Sequence, residues 1–206
     1  MDSHRDCWAK YVIIPGLLLL FMGCAPRTYL IVDYQVPASS QQLDGQQVRL
    51  LVTDSRLDPY ILSPAVARQF EGFQDRYSLA WVTPDRGRII AGEHDLQGLF
   101  HAAFQKRLEV LGVTVVPDDI QTAPLFQVDL QSLKVDQEGR NWVAQMSYTA
   151  SLTKDNKLIA SESVRGSAQR TKIIGRKGAD NTLSDIFSDI INRLNITNLF
   201  KQAQLI

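Results

Sequence analysis

Residues 142–153 read WVAQMSYTASLT. Trp142, Ala144, Met146, Tyr148, Ala150 and Leu152 share one side of this stretch. Gln145, Ser147, Thr149, Ser151 and Thr153 share the other. A period of two with one apolar and one polar side is a strand that is buried on one face and wet on the other, the habit of antiparallel sheets. Upstream, Phe126, Val128 and Leu130 alternate with Gln127, Asp129 and Gln131, and the turn signal DQEGRN (136–141) joins the two runs. Downstream, KDNK (154–157) makes a second turn and 158–170 returns as a further strand. A meander of antiparallel strands is therefore expected over 126–170.

Moving outward, two helices flank the meander. Leu96, Leu99, Phe100, Ala103, Phe104, Leu108 and Leu111 recur at the spacing of one buried helical stripe. Asp95 can cap the start of that helix, and Gly112 can take the left-handed conformation that ends it before the short strand VTVV. A second helix is expected over 182–194, where Leu183, Ile186, Phe187, Ile190, Ile191 and Leu194 repeat. Asp180 or Thr182 can cap it, Asn195 can stop it, and NLFKQA adds one more turn. Before the first helix, YLIVDYQV (29–36) and VRLLVT (48–53) read as strands separated by the polar segment ASSQQLDGQQ. Ser63-Pro64 opens a short helix over 64–71. YSLAWV and RIIA form a hairpin around TPDRG. The expected class is α+β: an antiparallel or mixed sheet with the two main helices packed on one face. Nothing in the sequence says whether 29–36 and 48–53 join the same sheet.

The N-terminal stretch has a different character. Arg5 and Lys10 give a weakly basic start, and the run from Tyr11 to Met22 is apolar except for Pro15 and Gly16. That run falls short of the roughly 20 residues a transmembrane helix needs and has the length of a signal-peptide core. Gly23 and Cys24 follow directly. This resembles a lipobox, the cleavage motif of bacterial lipoproteins, although Phe21 and Met22 depart from its usual residues. The resemblance implies cleavage after Gly23 and diacylglycerol on the Cys24 sulfur, an anchor of two or more acyl chains. The two cysteines are Cys7 and Cys24, and Cys7 would leave with the signal. Residues 1–23 are then a lipoprotein signal peptide. Residues 24–47 are the lipidated N-terminus, first strand and linker. Residues 48–206 form one α+β domain facing the periplasm. By the sorting rule of two-membrane bacteria, Ala25 after the cysteine directs the protein to the inner leaflet of the outer membrane.

The C-terminal half resembles a known group. LEVLGVTVVPDD, GRNWVAQMSYTASLTKDNKLIA and VRGSAQRTKIIGRKGADNTLSDIFSDIINRL follow the cadence of YajG-type and ABC-transporter auxiliary (LptE-like) lipoproteins. RTYLIVDYQVP is similar to the opening of the auxiliary group, whereas 54–93 fits neither. The resemblance implies no catalytic constellation. It implies an accessory role beside lipid-moving transport machines of the envelope, whose subunits would be the partners.

The remaining residues limit the chemistry. Lys+Arg and Asp+Glu both number 22, so no excess of positive charge points to nucleic acid. GxSxG, P-loop, GxGxxG, HExxH and CxxC are absent, and no catalytic residue is assigned. His94 and His101, with Glu93 and Asp95 beside them, fall short of the three or four convergent ligands of a zinc site. No metal or cofactor is expected. Asp54, Asp58, Asp118 and Asp119 read as turn residues. Arg165, Arg170, Lys172, Arg176 and Lys177 lie together, with no acid between Glu162 and Asp180. They form a candidate patch for anionic headgroups or an acidic partner. The function expected is a non-catalytic, membrane-anchored accessory lipoprotein. The alternative is a binding module for an anionic lipid or glycan of the envelope, which a deep apolar pocket would favour.

Overall fold

The alternating segments form the long strands they predict. The computed structural model describes residues 28–70, 72–171 and 177–206, and Cys24, Gly23, Lys172 and Arg176 lie outside them. Among the described residues the elements run β1 (Tyr29–Gln35), β2 (Gln47–Asp54), the single turn α1 (Pro64–Ala67), β3 (Arg76–Thr83), β4 (Gly87–His94) and α2 (Leu96–Glu109). Then come β5 (Thr114–Val115), β6 (Leu125–Glu138), β7 (Asn141–Lys154), β8 (Lys157–Thr171), α3 (Lys177–Arg193) and α4 (Ile196–Gln202). No described helix is long and apolar enough to cross a membrane.

The strands divide into two sheets of mixed orientation. One has the order β1-β3-β4 and the other β5-β2-β6-β7-β8. The strands around 29–36 and 48–53 thus enter different sheets. β1 runs parallel to β3, and β2 runs parallel to both β5 and β6. The expected meander β6-β7-β8 is antiparallel throughout. The single-sheet picture with helices on one face is corrected accordingly. α2 packs on β2 and β5 of the large sheet and on β3 and β4 of the small one, while α3 packs on β1, β7 and β8. Both long helices therefore touch both sheets, and one continuous apolar core results.

Phe187 sits at the junction. Its ring meets Tyr34 of β1 at 6.0 Å and Phe100 of α2 at 5.1 Å, both edge-on, the arrangement aromatic quadrupoles favour. On the large-sheet side Phe104 meets Tyr148 at 5.4 Å. The Tyr148 hydroxyl donates to the Ile190 carbonyl at 3.0 Å. Burial pushes the Tyr34, Tyr77 and Tyr148 phenols well above their ordinary range, so they stay neutral.

The helices also differ in detail from the expectation. Gly112 takes φ +90° as foreseen. α1 stops at Ala67 because Phe70 turns inward and packs edge-on against Trp142 at 6.2 Å. α3 starts five residues earlier than 182, at Lys177. Its first turn lies against Trp142, where a Cβ on Gly178 would come within 2.6 Å of the indole; only glycine leaves that space open.

The free edge of β1 is closed by side chains of α3. The Ile31 amide donates to Asp180 Oδ1 at 3.0 Å, the Asp33 amide to Ser184 Oγ at 2.9 Å and the Gln35 amide to Ser188 Oγ at 2.9 Å. Asn192 Nδ2 then donates to the Gln35 carbonyl at 2.8 Å. Four helical residues advance about 6 Å and two strand residues about 6.6 Å, so a polar stripe at i, i+4 stays in step with alternate strand amides. Asp180 is thus a rung of this ladder, not an N-cap. An edge strand left bare would offer those groups to another chain.

Candidate functional site

One end of the domain collects the features that bear on function. Tyr29 pairs with Arg76, Asn141 pairs with Thr171, and the first turn of α3 holds Ile31 through Asp180. The starts of β1, β3 and α3, the end of β8 and the β6–β7 turn therefore share this end. The chain arriving from Cys24 enters here. Thr28, the first described residue, accepts from the Gln74 amide through its carbonyl at 3.3 Å, and its methyl lies beside Gly72.

Next to that entry point is a groove of about 310 Å³, lined chiefly by Tyr60, Ile61, Leu62, Ala67, Phe70 and Phe73, with Gly72 and Asp75 at its border. It is an open cleft, not the deep pocket that would favour a small-ligand module. Residues 60–62 form its outer wall and belong to the segment 55–63, which lies alongside β6. The Val135 amide donates to the Ile61 carbonyl at 2.6 Å, and the Ser63 amide to the Val135 carbonyl at 3.0 Å. Leu57 is fully exposed on this segment and Tyr60 is 73% exposed. A second cleft of about 320 Å³ lies where α2 meets β5, lined by Gln105, Glu109 and residues 112–115.

Three acids hold the groove wall. Arg56 grips Asp54 with two bonds of 2.8 Å. Lys134 Nζ reaches Asp58 at 3.2 Å, and Ser63 donates to Asp136 at 2.5 Å. The Arg56 hydrogen bond holds the Asp54 carboxyl below its usual range. The Tyr60 amide, then Lys134, does so for Asp58, and the Ser63 hydroxyl does so for Asp136. An unfolded aspartate titrates near ~3.9. The folded values lie below that, so the stabilisation is complete above it and is lost as pH falls through the depressed values. The melting temperature should fall as pH drops below about 4, and Asp54→Asn should flatten part of that fall. A Tm-against-pH profile unchanged by Asp54→Asn would contradict this account of the wall.

The basic residues are not gathered into one cluster among the described positions. Arg170 faces α3 and is paired with Asp185, one bond measuring 2.9 Å. Arg165 is exposed, and its odd position in the alternation puts it on the opposite sheet face. Its carbonyl accepts from Arg193 at 2.9 Å. Lys177 opens α3. The polar sheet face is bonded across strands: Ser132 to Ser147 at 2.7 Å, Gln131 to Thr149 at 3.0 Å and Thr149 to Ser163 at 2.8 Å. The Asp95 carboxylate caps α2 through the Gly98 amide at 2.8 Å. Among the described residues no three His, Cys, Asp or Glu side chains converge as metal ligands. The groove and the β1 ladder were not anticipated. The ladder's signal was present in Asp180, Ser184, Ser188 and Asn192, four small polar residues at exact four-residue spacing.

These features define a mixed α+β domain of two sheets joined by two long helices. The same fold occurs in protein XCC0632 from Xanthomonas campestris, a DUF330 protein. The TM-score is 0.55 at 15% identity, over 86% of this chain and 98% of that one. A neuraminyllactose-binding hemagglutinin homolog from Helicobacter pylori aligns at TM-score 0.37 and 9% identity, over 82% of this chain and 97% of its own. Lipoprotein GNA1162 from Neisseria meningitidis aligns at 0.28 and 13%, over 74% and 99% respectively. The last two scores are too low to argue from. No protein-family model matches the chain, and no curated protein matches its sequence.

Proposed function

We propose that the protein is a non-catalytic lipoprotein of the bacterial cell envelope. Lipid on Cys24 holds it at the inner leaflet of the outer membrane, and its domain faces the periplasm as an accessory subunit of a lipid-transport-type membrane complex. The observation that carries the anchor is the order of events in the chain. An apolar run ends at Met22, Gly23 and Cys24 follow at once, and the first core strand begins only five residues later at Tyr29. A lipid on Cys24 would leave the folded domain on a very short arm. The accessory role draws support from the resemblance of the C-terminal half to auxiliary lipoproteins.

Affinity capture of the full chain from cross-linked membranes, beside a Cys24→Ala control, tests both parts. The expected result is membrane-bound wild-type protein that begins at a lipidated Cys24 and co-purifies with transporter or substrate-binding subunits, and a control that keeps residues 1–23, carries no lipid and loses the partners. Wild-type protein that carries no lipid on Cys24 would overturn the anchor. Membrane-bound protein with no specific partner would overturn the accessory role.

A further inference from the structure

We propose that Leu57, Tyr60 and the groove behind them rest against the surface of the bilayer that holds Cys24. The inference builds on the lipid anchor proposed above and adds an orientation to it. Reach is the first argument. Four peptide steps separate Cys24 from Thr28, at most about 14 Å when fully extended. The headgroup layer of one leaflet is roughly 5–8 Å thick, half the difference between the whole bilayer and its hydrocarbon core. Thr28 is fixed to Gln74 and lies against Gly72 at the groove border. The groove therefore cannot stand far above the headgroups.

Side-chain chemistry is the second argument. Leu57 projects fully into solvent and Tyr60 is 73% exposed, while the groove behind Tyr60 has a partly buried Phe73 at its side and a floor of the buried core residues Ile61, Leu62 and Phe70. A tyrosine suits the interface, its ring among acyl chains and its hydroxyl among headgroups. Exposure alone does not distinguish this face, because Leu158 is 65% exposed as well. Position does. Leu158 lies by the β7–β8 turn, at the opposite end of β7 from Asn141. The 14 residues of β7 span about 46 Å, so Leu158 lies far from the end where Thr28 sits, whereas Tyr60 shares the groove with Gly72 beside Thr28.

The full chain carrying Leu57→Cys or Leu158→Cys tests the orientation. Each is expressed with its signal, purified in lipidated form and labelled with a fluorophore sensitive to polarity. It is then reconstituted into vesicles of phosphatidylethanolamine and phosphatidylglycerol. Cys7 is cleaved away and the Cys24 sulfur is occupied in that form, so the label reports one position. The expected result is co-flotation of both variants, with a blue-shifted label at 57 that iodide quenches several-fold less than the label at 158. Co-flotation with equal quenching would overturn the orientation and leave the anchor standing. Failure to recover any lipidated form from membranes would overturn the anchor and the orientation together. Protection at 57 that persists without vesicles in a Cys7→Ser, Cys24→Ser background would mean that a second copy covers the face. Protection that appears only on adding membrane extract would mean that a protein partner covers it. Either outcome replaces the bilayer as the occupant.

Discussion

Phe187→Ala should cost about 3–5 kcal/mol of folding stability, the loss typical of emptying a buried aromatic site. Phe187 is fully buried, and its ring is the contact shared by β1, α2 and α3 through Tyr34 and Phe100. Its removal leaves a cavity where the small sheet meets both helices. A domain of this size has a total stability of about 5–15 kcal/mol, so a large share of it is at stake. Urea unfolding checks this. The midpoint should drop sharply for Phe187→Ala and much less for Phe187→Leu, which refills most of the volume. A loss under about 1 kcal/mol, the scale of an ordinary surface change, would mean that the joint between the sheets is elsewhere.

The double substitution Ser184→Ala with Ser188→Ala should cost about 2–4 kcal/mol, since each change strips a strand amide of its acceptor. The amides concerned are those of Asp33 and Gln35. Alanine is the better helix former by a few tenths of a kcal/mol per site, so a loss in spite of that gain isolates the ladder. Gln35 is exposed and water can replace part of its bond, which makes Ser184 the costlier of the two. Hydrogen exchange gives the specific readout. The Asp33 and Gln35 amides should exchange faster in the variant, while amides in the centre of β7 should change only with global stability. Unchanged exchange at Asp33 would contradict the ladder.

The elements that could be read from sequence were those whose signal is local. The alternation in 142–153 and the helical repeats from Leu96 and from Leu183 depend only on which side of a single element faces the core. Strand partnership does not work that way. Tyr29 pairs with Arg76, and Arg49 pairs with Leu125. Parallel pairing across such distances is set by how the helices seat, so the split into two sheets was invisible. The early start of α3 was hidden for a related reason. Gly175 and Gly178 read as loop residues, and only the close approach of Trp142 shows why glycine is needed at 178. The four-residue spacing of Asp180, Ser184, Ser188 and Asn192 is visible in the sequence, but its strand partner is not, because that pairing joins segments 149 to 153 residues apart.

The same contrast holds for the site. Gly23 and Cys24 are a contiguous motif, so the expectation of an anchor there needs no knowledge of the fold. Leu57 and Tyr60 belong to no sequence motif. Their meaning comes from Ile61 joining Val135, and from Thr28 settling beside Gly72, contacts between segments far apart in the chain. Arg165 and Arg170 looked like one patch because they are close in sequence. Alternation along β8 sends them to opposite faces, and Asp185 takes one of them.

The central claim is that the folded domain hangs from lipid on Cys24, and the mass of the mature N-terminal peptide tests it most directly. The protein is isolated from membranes of its own host, digested, and its first peptide measured. The account predicts a peptide that begins at Cys24 and carries a thioether-linked diacylglycerol. A peptide that retains Gly23, or that begins at Cys24 with a free thiol, would contradict it.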